Sequence, residues 1–101
     1  MQDRRTELRF GSNQAVVVSV LAPKSIRDIR GTIVEASKTG LRLTMATPVE
    51  NGAVIEVKWG SATMLGEARY CRQIGPNRYG VGVKISRVAG HAKLQTQTGV
   101  A

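Results

Sequence analysis

The sequence predicts an all-β protein, a six-stranded antiparallel β-barrel. Apolar and polar residues alternate along several short segments, which is the period of a strand with one buried face. Turn-forming residues separate these segments at nearly even spacing, and no crossover helix is indicated between them. A chain of 101 residues has room for one such core.

The elements follow in order along the chain. The first strand is rich in β-branched residues, as a strand buried on both faces or at a narrow point of the barrel would be. The six predicted strands cover residues 15–21, 32–34, 41–45, 55–59, 63–72 and 81–85. Residues typical of turns separate them at 11–13, 23–25, 38–40, 48–52, 60–61 and 75–77.

Three regions are therefore expected. Residues 1–13 are polar and charged, which predicts a flexible arm that can lie across the barrel. Residues 14–88 form the barrel. Residues 89–101 are small and polar, which predicts a tail with at most a short helical turn.

Composition restricts the functional classes. Fifteen Lys and Arg against seven Asp and Glu give a formal charge of +8, which favours anionic partners or a plain solubilising surface. A single cysteine excludes an intramolecular disulfide, and no apolar run is long enough to span a membrane. We therefore expect a cytoplasmic protein without a membrane span.

Two arginines of the predicted arm, Arg5 and Arg9, are four residues apart. Their guanidinium groups can fork onto a phosphate or onto the O6/N7 edge of guanine, and they can stack on a base. A solvated basic terminus, with Asp3 and Glu7 as local partners, is the alternative.

A polar turn is predicted after the second strand. Ser37 can donate to or accept from a phosphate or base, and Gly40 would permit a positive φ and the close approach of a ligand. An ordinary hairpin turn with glycine in the left-handed region fits the same residues.

Other residues predict no chemistry. Cys71 and His91 lack the partners that a nucleophile or a metal site needs. Trp59 falls on the apolar side of its strand, and Gly80 and Gly82 face away from the core, where they would admit a neighbouring strand or a base. We expect no enzyme, no metal and no cofactor.

These motifs together resemble the PilZ domain family, bacterial receptor modules for cyclic di-GMP. Residues 5–9 match the family's Arg-x-x-x-Arg motif, and residues 35–40 match its (Asp/Asn)-x-Ser-x-x-Gly motif except at the first position. Residues 66–72 and 79–85 resemble the family's last two strands, so the similarity extends over residues 4–88.

The resemblance implies that cyclic di-GMP binds on the outer surface of the barrel. Arg5 and Arg9 would clamp the phosphates and guanine faces. Glu35 would recognise a guanine edge, with Ser37 and the Gly40 backbone lining the site. At the position before the motif, Arg4 would favour a stacked pair of ligands over a single one.

Glu35 departs from the family pattern. Its carboxylate can still accept hydrogen bonds from guanine, but the extra methylene moves the acceptor outward by about a bond length. We expect binding to be weakened or preserved rather than abolished.

Three functions remain open. The first is a receptor in which cyclic di-GMP draws the arm onto the barrel and creates a surface for an unidentified protein effector. The second is a protein-interaction module that has lost nucleotide binding, which Glu35 favours. The third is a small RNA- or DNA-binding barrel, which the charge permits but the four aromatic residues disfavour.

Overall fold

The computed structural model describes residues 13–90, whose six strands close into an antiparallel barrel. The spatial order is β1-β2-β3-β6-β5-β4, and β4 pairs back onto β1. The predicted fold class is thus confirmed. The strands are β1 (Gln14–Ala22), β2 (Ile26–Ala36), β3 (Gly40–Met45), β4 (Val54–Trp59), β5 (Ala62–Gly75) and β6 (Arg78–Ala89).

The ends of the chain, residues 1–12 and 91–101, lie outside the described residues. The predicted arm, with Arg4, Arg5 and Arg9, and most of the predicted tail, with His91, therefore fall there. Within residues 13–90 there is no helix whose length and apolarity would let it cross a membrane.

The barrel core is built by the alternation that the sequence shows. Side chains from every strand point inward, and the central ones are fully buried. Trp59 is 4% exposed, which confirms its assignment to the core. The predicted inward residues that are buried are Leu41, Leu43, Met45, Ile55, Val57, Trp59, Val81 and Val83, and Ile85 is half-buried.

Burial of β1 differs from the expectation. Val16, Val18 and Val20 are at most 5% exposed, whereas Val17 and Leu21 are 37% and 38% exposed. The strand therefore has a solvent-facing side, which excludes burial on both faces, the first of the two alternatives that the sequence left open. A run of β-branched residues reports strand propensity, not the number of covered faces.

The second strand is much longer than residues 32–34. A register shift lies between Val18 and Val20 of β1, opposite Asp28, which has a φ of 55°. The Asp28 backbone N–H donates to the buried Ser19 hydroxyl at 3.1 Å. This β-bulge interrupts the regular alternation, so the first half of β2 has no period-two pattern in the sequence.

Candidate functional site

The β2–β3 turn opens onto a groove of about 350 Å³ on the outside of the barrel. We call it the hairpin groove. Strands β2, β3, β5 and β6 all contribute to it, so residues far apart in sequence meet there. It is lined by Glu35, Ala36, Ser37, Thr39, Gly40, Leu41, Arg42, Arg69, Tyr70, Gly82, Val83 and Lys84.

All three predicted site residues within the described part of the chain line this groove. Glu35 is the penultimate residue of β2, Ser37 begins the turn, and Gly40 is the first residue of β3. The end of β2, the turn and the start of β3 therefore place the polar groups of the predicted motif at the same rim of the hairpin groove.

Glu35 faces solvent beside β3. A register shift between Ile33 and Glu35 leaves Val34 as the extra residue and places Glu35 opposite Arg42. The Arg42 guanidinium donates to the Glu35 carboxylate, and the two side chains are 54% and 60% exposed. A carboxylate has about four lone-pair sites, so Glu35 keeps acceptor capacity beyond this ion pair.

Ser37 closes the turn. Its backbone N–H donates to the Gly40 carbonyl at 2.9 Å, and its hydroxyl donates to the same carbonyl at 3.4 Å. The Thr39 carbonyl accepts from the Ile85 N–H of β6 at 2.9 Å. The turn is thus tied to two strands, while the Ser37 oxygen remains exposed as an acceptor.

Gly40 has a different role from the one expected. Its φ lies outside the left-handed region, because Gly40 already belongs to the extended strand β3. The prediction of a positive φ there is wrong. A Cβ at this position would lie 3.0 Å from the Val83 carbonyl oxygen of β6, so glycine allows two strands to approach closely.

Three cations converge on the groove from three strands: Arg42 of β3, Arg69 of β5 and Lys84 of β6. Arg69 also pairs with Glu67 at 3.6 Å, with both side chains more than half exposed. The sequence motifs do not include these cations. Each occupies a polar position of an alternating strand, but only the barrel order shows that the three positions meet.

Tyr70 supplies an aromatic ring to the same groove and is 39% exposed. It lies opposite Gly82, and a Cβ added to Gly82 would overlap the ring. The Arg72 guanidinium carbon is 5.7 Å from the ring centroid, a cation–π distance. Gly82 therefore admits a neighbouring side chain, the first of the two possibilities that the sequence left open.

Gly80 shows the same arrangement with more room. A Cβ there would be 3.6 Å from the Ile74 Cγ2, an ordinary contact.

Cys71, on the same strand as Ile74, is half-buried against the core, and its sulfur accepts from the Val49 N–H at 3.5 Å. Within residues 13–90 no three His, Cys, Asp or Glu side chains gather into a metal-ligating group.

The groove has the chemistry of an anion site with one acceptor for a base edge. Its lining carries three cations, one carboxylate, two hydroxyl-bearing exposed residues (Ser37 and Thr39) and a partly exposed aromatic ring. A comparison of the chain with family models, curated proteins and solved structures gave no match. Functional assignment therefore depends on this geometry and on the motifs of the sequence.

Proposed function

We propose that this chain is a receptor for cyclic di-GMP, bound in the hairpin groove. The observation that carries the proposal is that Glu35, Ser37 and Gly40 line one groove together with three cations from other strands. The resemblance to PilZ domains identifies the ligand, and the groove supplies groups of the required charge at the matching residues.

The charges suit a ligand with two phosphates. Arg42, Arg69 and Lys84 outnumber Glu35 in the groove lining by two charges. Hydrogen bonds to charged groups contribute about 1.5–3 kcal/mol each. A few of them, with stacking, are enough for micromolar binding of about −8 kcal/mol after ordering costs.

Recognition of the base would involve Glu35 and Tyr70. Guanine presents N1–H and N2–H₂ donors along one edge, which a carboxylate can accept. The exposed ring of Tyr70 offers a face on which a base can stack. Adenine lacks these two donors, so the groove would favour guanine.

The start of β1 lets the preceding residues reach the groove. Gln14 lies opposite Ile33, and because the strands are antiparallel, β1 begins beside the end of β2 that carries Glu35. Glu35 is two residues from Ile33, about 7 Å along the strand. Arg9 precedes Gln14 by five residues, which can span at most about 17 Å.

In this mechanism the ligand contacts both the barrel and the arm. Arg5 and Arg9 clamp the phosphates while Glu35 and Ser37 hold the guanine edge. Fixing the arm costs conformational entropy, which the charge-assisted contacts offset. The ordered arm and bound ligand then present a surface to a protein effector, and Arg4 favours a stacked ligand pair.

Calorimetric titration with cyclic di-GMP tests the proposal. We expect Arg5→Ala and Arg9→Ala to abolish binding while the thermal unfolding transition hardly moves. Arg27→Ala is the matched control, since Arg27 is exposed on β2 and does not line the groove. Parent-like affinity in both arm variants would show that the site is wrongly assigned.

Titration with cyclic di-AMP tests the recognition of guanine. Loss of the two donors to Glu35 should weaken binding by at least about tenfold, the equivalent of one charge-assisted hydrogen bond. Equal affinity for the two dinucleotides would remove Glu35 from its assigned role.

One observation favours a second candidate, a protein-interaction module without nucleotide. The ion pair with Arg42 occupies part of the Glu35 carboxylate. Amide NMR spectra recorded during the titration separate the two functions. A lack of shifts at Ser37 and Gly40 at high ligand concentration would support the interaction module.

A further inference from the structure

A second and larger groove lies beside the start of β1, the ends of β3 and β4, and the start of β6. Its volume is about 830 Å³, and we call it the end groove. Residues of β1, β2, β3, β4 and β6 contribute to it. It is lined by Ala15, Val16, Val17, Arg30, Gly31, Thr32, Thr44, Met45, Ala46, Lys58, Gly60, Asn77 and Arg78.

Small side chains form the floor of the end groove. Ala15 pairs with Thr32, and Thr32 pairs with Thr44, so the three residues form one row across β1, β2 and β3. Residues paired across strands share a face of the sheet. The side chains of this alanine and these two threonines are short, so they leave a shallow trough between longer neighbours.

Cations form its walls. Val17 pairs with Arg30 on one side and with Lys58 on the other, giving a row of two cations around an apolar residue that is 37% exposed. At a strand spacing of about 4.8 Å, the Arg30 and Lys58 backbones are roughly 10 Å apart. Arg78, from the start of β6, adds a third cation.

No acid of residues 13–90 neutralises these cations. Among the residues lining the end groove none is a carboxylate, and Arg30, Lys58 and Arg78 form no ion pair within residues 13–90. This distinguishes the end groove from the hairpin groove, where Arg42 and Arg69 each have a carboxylate partner. The cations of the end groove are therefore available to an external anion.

The lining also indicates which anion fits. Among residues 13–90 no aromatic ring lines the end groove, and bases bound to such grooves usually stack on aromatic side chains. The exposed Val17 between two cations instead matches an apolar side chain flanked by carboxylates. A flexible acidic peptide can present that pattern.

We propose that the end groove binds an acidic peptide segment of a partner protein. Arg30 and Lys58 pair with carboxylates on either side of an apolar residue that packs on Val17, and Arg78 binds a further carboxylate. The threonine hydroxyls on the floor donate to the peptide backbone carbonyls. Within residues 13–90 its lining shares no residue with the hairpin groove, so this site does not depend on the cyclic di-GMP site.

Fluorescence anisotropy of the full chain with a labelled synthetic peptide, Gly-Ser-Glu-Glu-Val-Glu-Glu-Ser-Gly, tests the proposal. The double variant Arg30→Glu with Lys58→Glu should bind at least about tenfold more weakly, since two charge-assisted contacts become repulsive. The control is Lys24→Glu with Arg27→Glu, which makes the same change in charge at exposed positions outside both grooves and should bind like the parent.

A second pair of probes separates the ligand classes. The same peptide with glutamine in place of glutamate should not bind, whereas a labelled single-stranded oligouridine should bind more weakly than the acidic peptide. The proposal is overturned if the acidic peptide fails to bind or if both double variants weaken it equally. It is also overturned, in favour of nucleic acid, if the oligouridine binds more tightly and depends on Arg30 and Lys58.

Discussion

The hairpin groove and the end groove lie on the same barrel and are both cationic, yet they differ in two chemical features. The hairpin groove has a carboxylate and an aromatic ring among its cations, whereas the part of the end groove that residues 13–90 line has neither. A carboxylate repels acidic peptides but accepts hydrogen bonds from guanine. The described linings carry net charges of +2 and +3, and their different chemistry means that their ligands should not compete.

Strand β3 contributes to both grooves because its side chains alternate between the core and the outside of the barrel. Arg42 faces the hairpin groove, Thr44 faces the end groove, and Leu43 between them points into the core with 0% exposure. Substitutions along and around this strand can therefore damage both sites, one site or neither. Four substitutions separate these cases, ordered here from the largest expected loss of stability to the smallest.

Leu43→Ala should affect both grooves. Removing a fully buried leucine leaves a cavity and should lower the free energy of unfolding by about 2–5 kcal/mol, measured by urea denaturation. The control Leu43→Met, which conserves volume, should cost less than about 1.5 kcal/mol. A small loss in the alanine variant would mean that β3 is not anchored by this residue.

Gly82→Val should affect the hairpin groove alone. The added side chain overlaps the Tyr70 ring, which must swing away, at a cost of about 1–3 kcal/mol in the free energy of unfolding. Cyclic di-GMP binding should weaken while binding of the acidic peptide stays unchanged. The control Gly80→Ala, where the added Cβ meets only ordinary contacts, should retain both activities.

Ser19→Ala should reduce stability without affecting either ligand. Ser19 is 4% exposed and lines neither groove, and its hydroxyl accepts the Asp28 N–H in the bulge of β2. Loss of that acceptor should cost about 1 kcal/mol in thermal or urea unfolding. In the control Ser86→Ala the lost hydrogen bond is exposed, so the change should be smaller. Weakened binding of either ligand by Ser19→Ala would link the bulge to a groove.

Arg42→Gln should have the smallest effect on stability. An exposed ion pair contributes about 0–1 kcal/mol, so the unfolding transition should shift little. Cyclic di-GMP should nevertheless bind roughly tenfold more weakly, because one charge-assisted contact is lost. Unchanged affinity in titration calorimetry would exclude Arg42 from the ligand site.

The inward faces of the strands and the bounds of the strands are predictable from the sequence to different degrees. Alternation of residues such as Leu41 and Ile55 is a local signal, so the inward faces of β3, β4 and β6 were predictable. The early part of β2 was not, because the bulge at Asp28 breaks the period on which such predictions depend. Turn chemistry located the ends of the strands, as at Gly60, which has a φ of 63°.

The candidate site is likewise predictable from the sequence only in part. Glu35, Ser37 and Gly40 were found because a short motif holds them together in sequence. Lys84 and Arg69 were missed because only the pairing of β3 with β6, and of β6 with β5, brings them to that motif. Local sequence patterns carry no information about register between distant strands, so those cations became visible only in the folded barrel.

Closure of the barrel has a consequence for how this protein can associate with others. In the described part of the chain each strand has a hydrogen-bonded neighbour on both sides, from β1 round to β4. Where a stretch is paired on both sides, as β1 is with β2 and β4, a partner cannot add a strand of its own there. The end of β5, from Arg69 to Gly75, is paired with β6 alone, so one edge of that stretch keeps its backbone amides and carbonyls available to an added strand.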